Sequence, residues 1–356
     1  MASKLIDICS YAKGKTAVAG LTTQTYISTE NMLPNKGGIT TATNLPSIDQ
    51  TQAYRKNDVL VSNIRPYFKK IWHAEYDGGC SNDVLVFRAA EGVDPTFLYY
   101  VLADDTFFNY ATATSKGTKM PRGDKSAIME YCVPSLDIEA QRRIGTLLRS
   151  IDQKIAVNSK INDNLQQQAQ AIYSAMFISN ADSTWVQGRL SDLITVKYGK
   201  DHKKLADGVY PVFGSGGIMR YVERPLYTGE SVLIPRKGTL NNVMYVNEPF
   251  WSVDTMFFTE MKIPNVAKFV FHFVKAKNLA SMNAGSAVPS MTTDILNAME
   301  LAIPSAERLA EFESVVAPMY QAMQANNRES AKLAELRDAL LPKLMSGEVD
   351  VSSIQI

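Results

Sequence analysis

A chain of 356 residues with 46% hydrophobic and 21% charged side chains has ordinary globular composition. This excludes disorder and fibrous repeats, and the length suits about two domains. Lys and Arg number 37 against 36 Asp and Glu, a formal net charge of +1, so any surface for nucleic acid must be local and not a field of the whole chain.

The first 135 residues read as short strands and loops. Their β-branched and aromatic runs are broken by turn signals such as Asn35-Lys36-Gly37-Gly38 and Asp77-Gly78-Gly79. Between Asp58 and Glu75 the chain carries Arg65, Lys69 and Lys70 and no acid, interleaved with Tyr67, Phe68 and Trp72. A second basic loop holds Lys116, Lys119 and Arg122. Beyond the Pro134-Ser135 step, Gly and Pro become scarce and the pattern turns helical, from about Ile138 to Phe177. The strand-and-turn grammar returns over 181–305. There Lys197, Lys200, Lys203 and Lys204 outnumber Asp201, and a second loop offers Arg236, Lys237, Thr239, Asn241 and Asn242. A second helix is expected after Pro304-Ser305, from about Glu307 to Met345, kinked or ended locally by Pro318 or Pro342.

The two halves repeat each other in order. Leu5–Lys15 is echoed by Leu190–Lys200, Asp58–Ser62 by Ser231–Pro235, and Ser81–Phe87 by Ser252–Phe258. Phe97–Leu102 resembles Phe269–Val274, Lys116–Pro121 lines up with Ala284–Pro289, and Met129–Ser135 with Met299–Ser305. Six short matches in one order indicate a duplication.

Each helix carries a seam at alternating steps of four and three, from Ile144 to Met176 and from Phe312 to Leu344, the spacing of a coiled coil. Both seams turn polar near their midpoints: Asn158 aligns with Asn326, and Asn162 with Ser330. Two helices packing only on their own domains would also produce such stripes. Mutual pairing is favoured, with these four residues fixing register, because the polar level is shared. The expected fold class is α+β: two similar α/β domains separated by a pair of long antiparallel coiled-coil helices, an internal repeat with a pseudo-twofold axis. About forty helical residues make a rod roughly 60 Å long. Two separated, similar sites suit duplex DNA, whose major-groove faces recur about 34–36 Å apart.

Catalytic signals are weak. Asn247-Glu248-Pro249-Phe250 has Glu where an amino-methyltransferase loop has Pro, and Asp201-His202-Lys203 lacks an upstream acidic partner. Asp152-Gln153-Lys154 falls in the coiled coil, and Gly214-Ser215-Gly216-Gly217 reads as a tight turn. Cys9, Cys80 and Cys132 are odd in number and far apart and are expected to be reduced, buried thiols; with three histidines, no metal site is expected. Neither the N-terminal segment nor any later run suits a signal peptide or a membrane span, so a cytoplasmic, membrane-free protein is expected. The basic loops are more informative, because Lys and Arg neutralise phosphates while Arg and Asn bond bidentately to base edges.

Gly117-Thr118-Lys119-Met120-Pro121 precedes the Val133-Pro134 step, as Gly285-Ser286-Ala287-Val288-Pro289 precedes Ile303-Pro304. Leu136-Asp137-Ile138-Glu139-Ala140-Gln141 opens the first helix, and Leu336-Arg337-Asp338-Ala339-Leu340-Leu341-Pro342-Lys343-Leu344 closes the second. Together these resemble the specificity subunit of type I restriction–modification systems over essentially the whole chain. The departures are a single Pro at each step and Glu307-Arg308-Leu309 in place of the second glutamine signature. The resemblance implies target recognition domains at 1–135 and 181–305 and conserved helical regions at 136–180 and 306–356. It implies a noncatalytic subunit that binds double-stranded DNA with a split recognition site. It also implies two modification subunits that methylate adenine N6, joined in some complexes by two restriction subunits. No cofactor is expected in this chain, since S-adenosylmethionine, ATP and Mg belong to those partners. DNA contacts are expected from Arg65, Tyr67, Lys69, Lys70, Lys116, Lys119 and Arg122 in the first half. In the second they are expected from Lys200, Lys203, Lys204, Arg236, Lys237, Thr239, Asn241 and Asn242. On the residues alone, an architectural protein whose helices organise partners without base readout stays open.

Overall fold

The computed structural model describes residues 3–282 and 290–351. The chain divides into two compact units, one of Met1–Asn158 with Asn327–Ile356, the other of Ser159–Asn326.

In the first unit, the strands Cys9–Tyr11, Val84–Ala89, Val59–Ser62 and Ile71–His73 form an antiparallel sheet in that order. Its alternating side chains serve two cores, because both faces are covered. Val59, Val61, Leu85 and Phe87 face the helices Pro95–Ala103 and Asp105–Ala113. Leu60, Val84, Val86 and Trp72 face the other way, with Ile27, Tyr54 and Cys80 of a second four-stranded sheet.

The second unit repeats the arrangement. Ile194–Tyr198, Met256–Met261, Ser231–Pro235 and Met244–Val246 pair in the same order. Val232, Ile234 and Phe257 face the helix Ala267–Lys275, while Leu233, Met256 and Phe258 join a second core under a three-stranded sheet.

The two long helices are Ile138–Ser174, followed by one turn of π-helix at Ala175–Ser179, and Ala306–Ser346. Each start is capped. The Asp137 carboxylate accepts from Ala140 N–H at 2.8 Å, and Ser305 Oγ accepts from Arg308 N–H at 3.2 Å. The second helix runs on through both Pro318 and Pro342. Pro318 and Ser314, whose carbonyl loses its usual helical partner, are both exposed, which leaves that carbonyl open to solvent. Cys132 departs from the expectation for thiols, being exposed, whereas burial pushes Cys9 and Cys80 up to about 12 and leaves them unreactive.

Within each unit the long helices run antiparallel and pack on the unit's own core. The first core takes Ile144, Leu148, Leu341 and Leu344, and the second takes Ala169, Tyr173, Leu309, Phe312 and Val316. Between the helices, Asn158 Nδ2 donates to Glu329 at 2.7 Å and Ser330 at 3.2 Å in the first unit. In the second, Asn326 Nδ2 donates to Asn162 Oδ1 at 2.9 Å. The two contacts are equivalent under the repeat, since Asn158 corresponds to Asn326 and Ser330 to Asn162.

Each unit also ties its shorter core helix to a long helix at one repeat position, with different chemistry. Tyr100 donates to Asp152 at 2.6 Å, and Asp152 accepts from Arg337 at 2.7 Å. Its counterpart His272 lies 2.9 Å from the Tyr320 hydroxyl and 2.8 Å from Gln170 Oε1. A second tie differs likewise. Gln141 Oε1 accepts from Asp94 N–H at 3.0 Å, where the second unit packs Leu309 with Val266. Among the described residues no helix is long and apolar enough to cross a membrane.

Burial lowers the pKa of His272 to about 4, with Lys275 acting in the same direction. The folded protein holds this imidazole neutral, so its contribution is complete above the unfolded value near 6.5 and is lost as pH falls from there towards 4, by roughly 3 kcal/mol. A His272→Gln chain should be less stable at pH 7.5 yet lose less between pH 6.5 and 4. Denaturant titrations at both ends of this range measure the difference, and equal losses in the two chains would disprove the assignment.

Candidate nucleic-acid interface

The basic loops project from the same edge of the main sheet in each unit. In the first, Ser62 ends a central strand, and the chain turns through Arg65 into a single 3-10 turn, Pro66–Phe68. This loop is joined to the Lys116–Arg122 loop by backbone bonds. Arg65 N–H donates to the Pro121 carbonyl at 2.8 Å, and Ile64 and Lys116 both bridge to Arg122. Two segments more than fifty residues apart thus form one surface, with Arg65, Tyr67, Lys69, Lys116, Lys119 and Arg122 on it.

Their electrostatic states differ. Lys119 is exposed. The exposed Lys116 pairs with Asp124 and holds that carboxyl below the ordinary range, while Arg122 pairs with Asp83 at 3.2 Å. Lys69 shares Asp105 with Lys36, each at 2.8 Å. Partial burial acts against ionisation of Asp105, but hydrogen bonds from Lys36 and Lys69 outweigh it. Lys70 turns inward: Nζ donates to the Thr29 carbonyl at 2.6 Å, and burial lowers its pKa. Arg65 Nε is buried without a hydrogen-bond partner among the described residues.

The second unit builds the same junction. Pro235 ends the equivalent strand, Met291 N–H donates to the Arg236 carbonyl at 2.9 Å, and Lys237 bridges to Ser290. The repeat's Gly285–Pro289 motif lies outside the described residues. Arg236 lies over the exposed Tyr198 ring at 5.3 Å. Lys237 and Thr239 are exposed. Asn242 Nδ2 donates to the Ser215 carbonyl, and Asn241 bonds Asn278 and Ala280, so these amides shape the loop. Lys200, Lys203 and Lys204 are exposed on a neighbouring loop pinned by Trp251 Nε1 to the Lys200 carbonyl at 2.8 Å.

Gly214–Gly217 is the turn of a hairpin, with Gly217 at φ 112°. Phe250 is buried in a core, Asp152 belongs to the helix pair, and Asp201 caps its own turn by accepting from Lys203 N–H at 3.0 Å. Among the described residues no group of three or more His, Cys, Asp or Glu side chains could hold a metal ion. The reading of the sequence passed over three surface residues. Lys15 is the exposed repeat counterpart of Lys200 and was within reach of the alignment; Lys36 lay in a turn signal; Tyr198 carried no signal of its own.

The architecture is thus a duplicated sheet-and-loop unit in which each copy carries local basic loops. A family model described as type I restriction modification DNA specificity domain matches residues 1–167 and again 182–312, and the chain belongs to that family. The type I restriction enzyme MjaIX specificity subunit of Methanocaldococcus jannaschii is 22% identical over 74% of this chain and 71% of its own. The HindI specificity subunit of Haemophilus influenzae is 20% identical over 91% of this chain and 94% of its own. In fold, the chain is similar to the crystal structure of a type I restriction–modification S subunit from M. genitalium. The TM-score is 0.59 at 17% identity, covering 97% of this chain and 96% of that one.

Lys119→Ala should weaken binding to all DNA sequences alike and reduce the salt slope by about one unit. Lys70→Met should lower thermal stability and leave that slope unchanged, since its ammonium holds a carbonyl. Binding titrations across a salt series check both, and a smaller slope for Lys70→Met would reverse the assignment.

Proposed function

We propose that this chain is the noncatalytic specificity subunit of a type I restriction–modification complex, and that each unit reads one half of a split DNA target. The observation that supports this most is the recurrence, in both units, of one basic loop junction at the same edge of the same sheet. Positioning is assigned to Lys69, Lys116, Lys119, Arg122, Lys200, Lys203 and Lys204 through phosphate. Base edges are assigned to Arg65, Arg236, Lys237 and Thr239. The near-neutral charge fits a subunit that shares phosphate contacts with others.

In this reading the paired helices, with Asn158, Asn162, Asn326 and Ser330 setting register, carry two modification subunits and, in a complete system, two restriction subunits. S-adenosylmethionine, ATP and Mg act in those partners, and the complex works in the cytoplasm. Exchanging residues 181–305 for the same segment of a relative should change one half-site and preserve the other. Mapping methylated adenines in cells expressing the exchanged chain with its modification partner tests this. Simultaneous change of both half-sites would overturn the modular reading, and methylation with no bipartite preference would favour an architectural role.

A further inference from the structure

Four of the six non-glycine residues with positive φ among the described residues surround one turn. They are Asn35 at 55°, Lys36 at 61°, Arg65 at 52° and Lys69 at 51°. Each conformation is strained for a residue with a Cβ, and such strain gathers where function demands a fixed shape. The turn they frame presents Tyr67 and Phe68, 47% and 38% exposed, with ring centroids 4.8 Å apart and planes at 56°.

The backbone beneath is strapped from both sides. Arg65 N–H donates to Pro121, while the carbonyls of Phe68 and Lys69 accept from Asn35 and Lys36, each at 2.8 Å. The joined loops that carry the two aromatics also carry cations: the exposed Lys119, Arg65, and Lys36, Lys69, Lys116 and Arg122, these last four paired with Asp105, Asp124 and Asp83. A loop that touched only phosphate would need no aromatic tip, and a thymine methyl group needs one apolar contact. An apolar tip on a strapped base, with cations to hold the flanking phosphates, is what separating two stacked base pairs requires.

We propose that Tyr67 and Phe68 form a wedge that enters one base-pair step of duplex DNA within the half-site read by the first unit. The proposal rests on the DNA-reading function above and adds how one half-site is read. Among the described residues the second unit's corner lacks the device: at the repeat position of Arg65 stands Gly238, at φ 85°, followed by Thr239 and Leu240. Only the first half-site should therefore contain an easily unstacked step, a pyrimidine followed by a purine.

The test uses the full chain assembled with its modification subunits and duplexes carrying its mapped site, with 2-aminopurine placed at successive positions of both half-sites. Binding should raise emission at one step of the first half-site and at none of the second. Tyr67→Ala with Phe68→Ala should abolish that rise and weaken specific binding by roughly 5- to 150-fold. Both side chains are exposed, so an unchanged melting temperature shows that the variant is folded. Specific binding without a rise at any position overturns the wedge and spares the DNA-reading function. Loss of assembly with the modification subunits, with emission and DNA affinity unchanged, overturns it in favour of a protein contact. A wild-type assembly that selects no site overturns both.

Discussion

Each long helix has to satisfy two hydrophobic cores. Ile144 and Leu148 lie in the core of one unit, and Ala169 and Tyr173 of the same helix lie in the other; Phe312 and Leu344 divide likewise. Helices of this length gain most of their stability from packing of an apolar stripe and little from propensity. Between the residues that enter the two cores, the helices bond each other through polar side chains. There Asn158 meets Ser330 and Asn162 meets Asn326. An apolar seam tolerates slippage by a turn at modest cost, whereas an amide that loses its partner does not. The polar level therefore belongs where the cores exert least control over register.

Duplication preserved positions more faithfully than chemistry. Tyr100 and His272 occupy one place on equivalent helices and reach equivalent places on the long helices, yet one donates to a carboxylate and the other meets a phenol. Where the Gln141 side chain accepts from the backbone N–H of Asp94, the second unit has Leu309 and Val266 in its apolar core, so only the side-chain half of that tie differs between the repeats.

Much of this architecture was legible in the chain. The repeat fixed the equivalence of the sheets, and the Pro-Ser steps marked helices that begin at Ile138 and Ala306. Helix propensity does not record which carbonyls face water, and the second helix continues through both prolines. The loops were legible as basic, but their working parts were not. Lys70 and Asn242 look like available donors until the distant Thr29 and Ser215 carbonyls come to meet them. Lys36 joins the surface only because its backbone bonds Lys69, across a sequence separation no local pattern crosses.

The loop junctions are held almost entirely by main-chain groups: Arg65 to Pro121, Ile64 and Lys116 to Arg122, and Arg236 to Met291. Main-chain bonds are indifferent to side-chain identity. A lineage can rewrite nearly every outward-facing residue of these loops without dismantling their scaffold, so new target preferences lie a few substitutions apart. The exceptions are the corners where the backbone turns left-handed. There the choice of residue is narrow, and Gly238 in place of Arg65 marks the kind of change that alters the shape of the reading surface as well as its lettering.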